Sequence, residues 1–196
     1  MAAGNIFGVS GLSFLSRALG EKHYDKVKSI SAFCFYAGIA VGIIGQVLML
    51  VCMKPLLQAV GTSENTFGFA REYLLWIAYG GPAIVIACAF SNLIRGEGAA
   101  KSAMVGMMSG TVANIVLDPV FILDSFWGIP CLGMGVAGAA IATVIGNLVS
   151  IAVYIAHICS PSSVLTIKPT YFSVFGGILT GVLLIGLRSE EHTSEL

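Results

Sequence analysis

Runs of apolar residues dominate this chain, and polar residues fall between the runs instead of alternating with them. Four runs are long enough to cross a membrane as helices: 29–53, 70–93, 101–123 and 134–158. A helical span needs about 20 mostly apolar residues to match the hydrocarbon core of a bilayer. Two shorter runs flank them, 4–16 and 170–187, and read as parts of spans. No run shows the period-two alternation of a transmembrane barrel strand. The pattern therefore predicts an all-α polytopic membrane protein with about four complete and two partial transmembrane helices. Small residues recur at spacing four, at Gly4/Gly8, Gly38/Gly42, Gly106/Gly110 and Gly177/Gly181. In a bilayer such pairs let helix backbones approach closely, so tight helix packing is expected.

Composition narrows the class further. Of the 196 residues 57% are apolar and 10% charged, with 24 Gly besides. Mean hydropathy is +0.91. A soluble domain carries about 25% charged residues, so this chain has too little polar surface to cover its apolar volume in water. Disorder is excluded by the same apolar excess. Ten Lys+Arg balance ten Asp+Glu, which leaves no basic face for nucleic acid. The five cysteines (34, 52, 88, 131 and 159) form no CxxC and read as small apolar packing residues. The first residues, Met1 to Gly4, lack the basic start of a signal peptide.

Basic residues in short loops orient the spans. Alternate loops carry seven Lys/Arg on one side (Arg17, Lys22, Lys26, Lys28, Arg95, Lys101, Lys168) and two on the other (Lys54, Arg71). Loops 17–28, 94–101 and 159–169 are thus expected in the cytoplasm, and 54–69 and 124–133 outside. Tyr73, Trp76, Tyr79 and Trp127 fit interface anchors. Residues 188–196 interrupt an apolar run after Leu187 and hold three of the ten acidic residues. The string resembles a translated sequencing adapter, so the natural reading is a fragment, 1–187, with an artefactual tail.

The sharpest chemistry lies at Asn114, Asp118 and Pro119. Asp118 is the only acidic residue well inside an apolar run. A carboxylate in hydrocarbon costs at least a few kcal/mol and persists with a partner, a proton or a wet cavity. Asn114 lies four residues earlier, on the same helix face. Pro119 has no N–H, so the Ile115 carbonyl loses its helical partner. An amide, a carboxylate and a freed carbonyl suit a proton or a small hard cation such as Na⁺. The plainer alternative is a carboxylate reaching the nearby interface. Thr143 and Asn147, spaced i, i+4 in the last complete span, supply further oxygens or make helix–helix hydrogen bonds.

Other motifs carry less. Gly133, Gly135 and Gly138 match GxGxxG, but no acidic residue follows at about 20 and the motif opens a membrane span; a tight turn into a packed helix is the simpler reading. Gly8-Val-Ser10-Gly11 resembles the nucleophile motif of rhomboid proteases, with His157 the one available base. Asn92, Arg95 and Glu97 sit at a helix end beside Gly96 and Gly98 and read as an interfacial anchor.

Three blocks together resemble one family: Asn92 to Gly98 with Lys101, Ala113 to Phe121, and Gly133 to Thr143. With Leu15 to Gly20 after a Gly-rich run, they are similar in order and content to the multidrug and toxic compound extrusion (MATE) family. The resemblance runs from about residue 4 to 187. It implies part of the N-terminal six-helix lobe of a twelve-helix transporter, holding the end of helix 2, helices 3–6 and the start of helix 7. It implies a multi-pass protein of the cell membrane that exports organic, often cationic, compounds in exchange for H⁺ or Na⁺, with no cofactor beyond that ion and no enzymatic activity. Asp118, Asn114 and Thr143 match the family's cation-site residues, and Asn92 a polar cavity residue. The partner carboxylate on helix 1, like the second lobe, falls outside this sequence. The alternatives are a lipid-linked oligosaccharide flippase of the same superfamily and an intramembrane serine protease.

Overall fold

The computed structural model describes residues 2–59, 61, 64–126 and 129–171. Among the described residues six α-helices follow one another: α1 Ala2–Gly20, α2 Tyr24–Val51, α3 Met53–Ala59, α4 Glu64–Gly96, α5 Ala100–Ile122 and α6 Gly135–Ile158. The α5–α6 connection holds a two-residue antiparallel pair, β1 Ser125–Phe126 with β2 Ile129–Pro130. One 3₁₀ turn, Pro169–Tyr171, follows α6. Among the described residues four helices are long and apolar enough to cross a membrane: Tyr24–Val51, Thr66–Gly96, Ala100–Ile122 and Gly135–Ile158. These are the four complete spans of the hydrophobic pattern. The run 4–16 lies within α1, whose side chains are described from Gly11 onward. All but the start of 170–187, all of 188–196, and Trp127 lie outside the described residues.

Two helices begin before their apolar runs do. α2 starts at Tyr24, with Asp25 in its first turn where a negative charge meets the helix dipole. α4 starts at Glu64 and runs 33 residues, about 50 Å at 1.5 Å per residue, so polar residues carry it beyond the hydrocarbon. The connection 54–69, legible from the pattern only as a loop, holds α3, whose Pro55 sits in the first turn. A first-turn proline removes no helical hydrogen bond.

The ends of α1 and α4 share one device. After α4, the Ala99 N–H reaches the Ile94 carbonyl at 3.1 Å and Gly98 N–H reaches Arg95 at 3.0 Å, with Gly98 at φ +90°. This is a Schellman cap, which needs a left-handed residue and favours glycine. After α1, His23 N–H to Ala18 and Lys22 N–H to Leu19 repeat it, with Lys22 itself at φ +56°.

α4 is the central helix and packs against α1, α2, α5 and α6. The buried core gathers at one end of the bundle: Leu15, Val27, Phe33, Phe90, Leu93 and Tyr154 are all at most 4% exposed. These positions are the end of α1, the start of α2, and the ends of α4 and α6. The opposite end is open. Ile44, Leu48 and Val51 of α2 and Ile115 and Val116 of α5 are at least 60% exposed. A helix in lipid has no need to bury apolar side chains in protein, so these faces suit the bilayer or further helices. The buried core thus lies toward the end read as cytoplasmic, and the other end exposes apolar faces.

Glycines set the closest approaches. At Gly42 of α2, a Cβ would lie 2.6 Å from the Pro82 Cα of α4. At Gly110 of α5, a Cβ would lie 2.5 Å from the Gly146 carbonyl oxygen of α6. Gly38/Gly42 and Gly106/Gly110 both lie on packed faces. Gly4, Gly8, Gly177 and Gly181 lie outside the residues whose side chains are described.

A candidate cation site between α5 and α6

α5 and α6 run antiparallel along a seam of small residues. The Tyr154 ring lies over Gly106, Ser150 and Gly146 lie over Gly110, and the Phe121 carbonyl lies 2.5 Å from a Cβ placed at Gly138. One turn beyond Gly110 on α5 stands Asn114. Its Cβ lies 3.2 Å from a Cβ placed at Gly146, three residues from Thr143. Two glycines facing each other across the seam therefore bring the Asn114 and Thr143 side chains together.

The Asn114 amide nitrogen lies 3.5 Å from Asp118 Oδ1 and 3.5 Å from Thr143 Oγ1. Thr143 donates its hydroxyl to the Ala139 carbonyl at 2.9 Å, which leaves its lone pairs turned toward Asn114. The amide thus bridges a carboxylate on its own helix and a hydroxyl on the next. Both contacts are long for hydrogen bonds. A rotation of the amide presents its oxygen instead, and then carboxylate, amide and hydroxyl oxygens converge from two helices. Asp118, Asn114 and Thr143 are all partly exposed, in the half of the bundle away from the buried core.

The stretch after α5 holds the site's outer end. Leu132 N–H donates to Val120 O at 3.1 Å, Met134 N–H to Phe121 O at 2.8 Å and Gly133 N–H to Leu123 O at 2.9 Å. These bonds satisfy carbonyls that a helix end leaves open. Gly133 takes φ +59°. The GxGxxG stretch is thus a turn entering a closely packed helix, and among the described residues the strand before it is only the two-residue Ile129–Pro130.

Asn147 lies one turn from Thr143 and donates to its carbonyl at 2.8 Å. It lines a cavity of about 220 Å³ with Thr111, Asn114, Thr143 and Ser150. It also lines a second cavity of about 300 Å³ between α4 and α6, with Ser91, Asn92, Arg95 and Tyr154. Asn92 is therefore apart from the Asp118 cluster, and its amide donates to the Cys88 carbonyl at 3.1 Å. Among the described residues no three His, Cys, Asp or Glu side chains gather to hold a metal. His157, the base the sequence offered to Ser10, has its Nε2 facing Glu97 at 3.6 Å. The Ser10 side chain lies outside the described residues. Glu97 itself, read from the sequence as an interfacial anchor, has a side chain only 7% exposed.

A polar cluster is thus held between helices long and apolar enough to cross a membrane, beside cavities in an otherwise apolar bundle. The family model MatE matches residues 2–120, and the chain belongs to that family. It is 29% identical over 186 residues to the multidrug export protein MepA of Staphylococcus saprophyticus and 28% identical over 187 to that of Staphylococcus aureus. Each match covers 95% of this chain and 40% of the relative, so the chain spans well under half the length of the curated relatives it matches. Among solved structures, a multidrug resistance MATE family transporter of the MOP superfamily in its inward-facing conformation is similar, with a TM-score of 0.86 and 28% identity over 95% of this chain and 41% of that one. A MOP superfamily transporter from Pyrococcus furiosus, described as having a binding pocket of reversed polarity, matches with a TM-score of 0.84 and 28% identity over 95% and 40%. The protein is a multi-pass membrane protein, and the fold is that of a MATE lobe.

Proposed function

We propose that this chain is the N-terminal lobe of a multidrug efflux antiporter in the cell membrane, and that Asp118, Asn114 and Thr143 bind the coupling H⁺ or Na⁺. The observation that carries the reading is the Asn114 amide, set 3.5 Å from both a carboxylate and a hydroxyl across the α5–α6 seam. The relatives' description as multidrug export proteins supports organic, drug-like substrates. The second lobe, which the greater length of those relatives supports, closes the cavity from the other side. Loops 17–28, 94–101 and 159–169 face the cytoplasm, on the side where the core is closed.

An ion drives such a cycle only if it binds inward- and outward-facing states with different affinity. Asp118 supplies the difference. A bare carboxylate resists enclosure by apolar surface, and its neutralisation by a proton or an ion removes that resistance. Ion entry then favours the state that expels substrate. The test is drug export by the full-length gene product in proteoliposomes, driven by an imposed H⁺ or Na⁺ gradient. Asp118→Asn is expected to insert normally and to lose gradient-driven export. Export at the parental rate refutes the reading.

A further inference from the structure

Residues 163–167 follow α6 as a strap without helix or strand, yet side chains of the helical body answer their backbone. Glu97, just beyond α4, accepts the Val164 N–H on Oε1 at 2.8 Å and the Ser163 hydroxyl on Oε2 at 3.0 Å. Ser31 of α2, fully buried, donates to the Thr166 carbonyl at 2.9 Å and accepts the Thr166 N–H at 3.2 Å. Tyr36 donates to the Ile167 carbonyl at 3.2 Å. Leu165 is 5% exposed and belongs to the same core as Val27, Leu93 and Ile158. Connecting segments ordinarily lie loosely over a surface. This one is fastened to three helices.

We propose that Glu97 is a positioning residue that latches strap 163–167 onto the closed end of the bundle, making the strap a rigid arm that transmits the tilt of α2, α4 and α6 to the chain beyond it. The carboxylate is well matched to the task. It takes two hydrogen bonds from the strap, and charged acceptors make roughly twice the bond that neutral ones do. His157 of α6 stands behind it at 3.6 Å, with Nε2 buried and otherwise unpartnered. One side chain thus gathers the end of α4, the end of α6 and the strap. The Schellman turn at Gly98 fixes the backbone from which Glu97 projects. The holds from Ser31 and Tyr36 of α2 fall on Thr166 and Ile167, so loss of Glu97 frees the half of the strap nearest α6.

The test is thiol labelling in the full-length protein, with Val164→Cys introduced and every cysteine but Cys34 replaced by alanine. Val164 meets Glu97 through its backbone, so the new side chain leaves that bond in place. Cys34 is fully buried and reports on the integrity of the body. Adding Glu97→Gln is expected to raise the maleimide rate at position 164 at least tenfold while Cys34 stays protected. A rate within twofold of the parent overturns the latch. If Glu97→Gln also exposes Cys34, Ser163→Ala decides: it removes the bond to Glu97 and the local Leu165 N–H bond to Ser163 Oγ while leaving Glu97 in place, and a rise of less than threefold overturns the proposal. The coupling arm rests on the efflux reading and is measured apart. Glu97→Gln is expected to lower maximal export several-fold with the substrate KM unchanged. A freed strap with unchanged maximal export refutes coupling, whereas absence of export by the parent protein counts against the efflux reading and leaves the labelling result standing.

Discussion

Replacing Gly110 by alanine tests whether the α5–α6 seam sets the geometry of the Asp118 cluster. The added Cβ meets the Gly146 carbonyl oxygen at 2.5 Å and presses on the Ser150 hydroxyl. Both obstacles are hard to move, since one is backbone and the other lies 3.2 Å from that same carbonyl as its hydrogen-bond donor. Ordinary contact requires the helices to separate by about 0.9 Å at this level. Asn114 stands one turn away, so its 3.5 Å contact with Thr143 lengthens to about 4.4 Å, past hydrogen-bonding range. Overpacking of this kind costs about 1–3 kcal/mol. Two readouts follow: a lowered melting temperature of the purified full-length protein, and gradient-driven drug export reduced at least tenfold. Gly45→Ala is the control, because nothing lies within 4 Å of a Cβ there; it should leave export unchanged and stability equal or slightly raised. Parental export and melting temperature for Gly110→Ala would refute the reasoning.

Other consequences are equally open to measurement. Thr143→Val keeps the shape of the side chain but removes the hydroxyl next to Asn114; export should fall several-fold with a stability loss of about 1 kcal/mol, and unchanged ion dependence would remove Thr143 from the site. Tyr154→Phe keeps the ring over Gly106 but removes the hydroxyl bonded to the Ala103 carbonyl at 3.3 Å; denaturation should show a loss of about 1 kcal/mol, and no loss would mean that bond contributes nothing. Lys22→Gly relieves a left-handed lysine at φ +56° and should stabilise the protein by about 1 kcal/mol; destabilisation would contradict the turn geometry. Membrane-impermeant labelling of Asp25→Cys and Ser162→Cys should occur only from the cytoplasm, and of Gln58→Cys only from outside; the opposite result would invert the topology.

The sequence made the spans legible because bilayer thickness forces long apolar runs, and a run of about 20 residues has few other uses. It did not reveal α3 or the first turns of α4, whose mixed polar character resembles a connection. Asn114 and Asp118 were readable as a pair because helical spacing places i and i+4 together. Their meeting with Thr143 depended on the resemblance, because nothing in spacing alone brings position 114 beside 143. The physical cause is the Gly110–Gly146 approach, and a spacing-four glycine pair shows that a face packs without showing which helix it meets. Asn92, read as a polar cavity residue, lines the cavity between α4 and α6, and Asn147 lines both that cavity and the one beside Asn114. Glu97 was misread. Its glycine neighbours marked a helix end correctly, but its partners lie 66 and 67 residues further on, on backbone and a serine that carry no sequence signature. The buried carboxylate beside His157 became visible only when the ends of α4 and α6 were placed side by side.

The central claim is that Asp118 carries the ion that substrate binding displaces. It is tested most directly by mixing purified full-length protein with ethidium in weakly buffered detergent and reading released H⁺, with bound ²²Na⁺ counted in parallel. If the sites are linked, the parent protein should release about one coupling ion per substrate bound. Asp118→Asn should still bind ethidium but release none. Equal ion release from the parent and from Asp118→Asn would contradict the account.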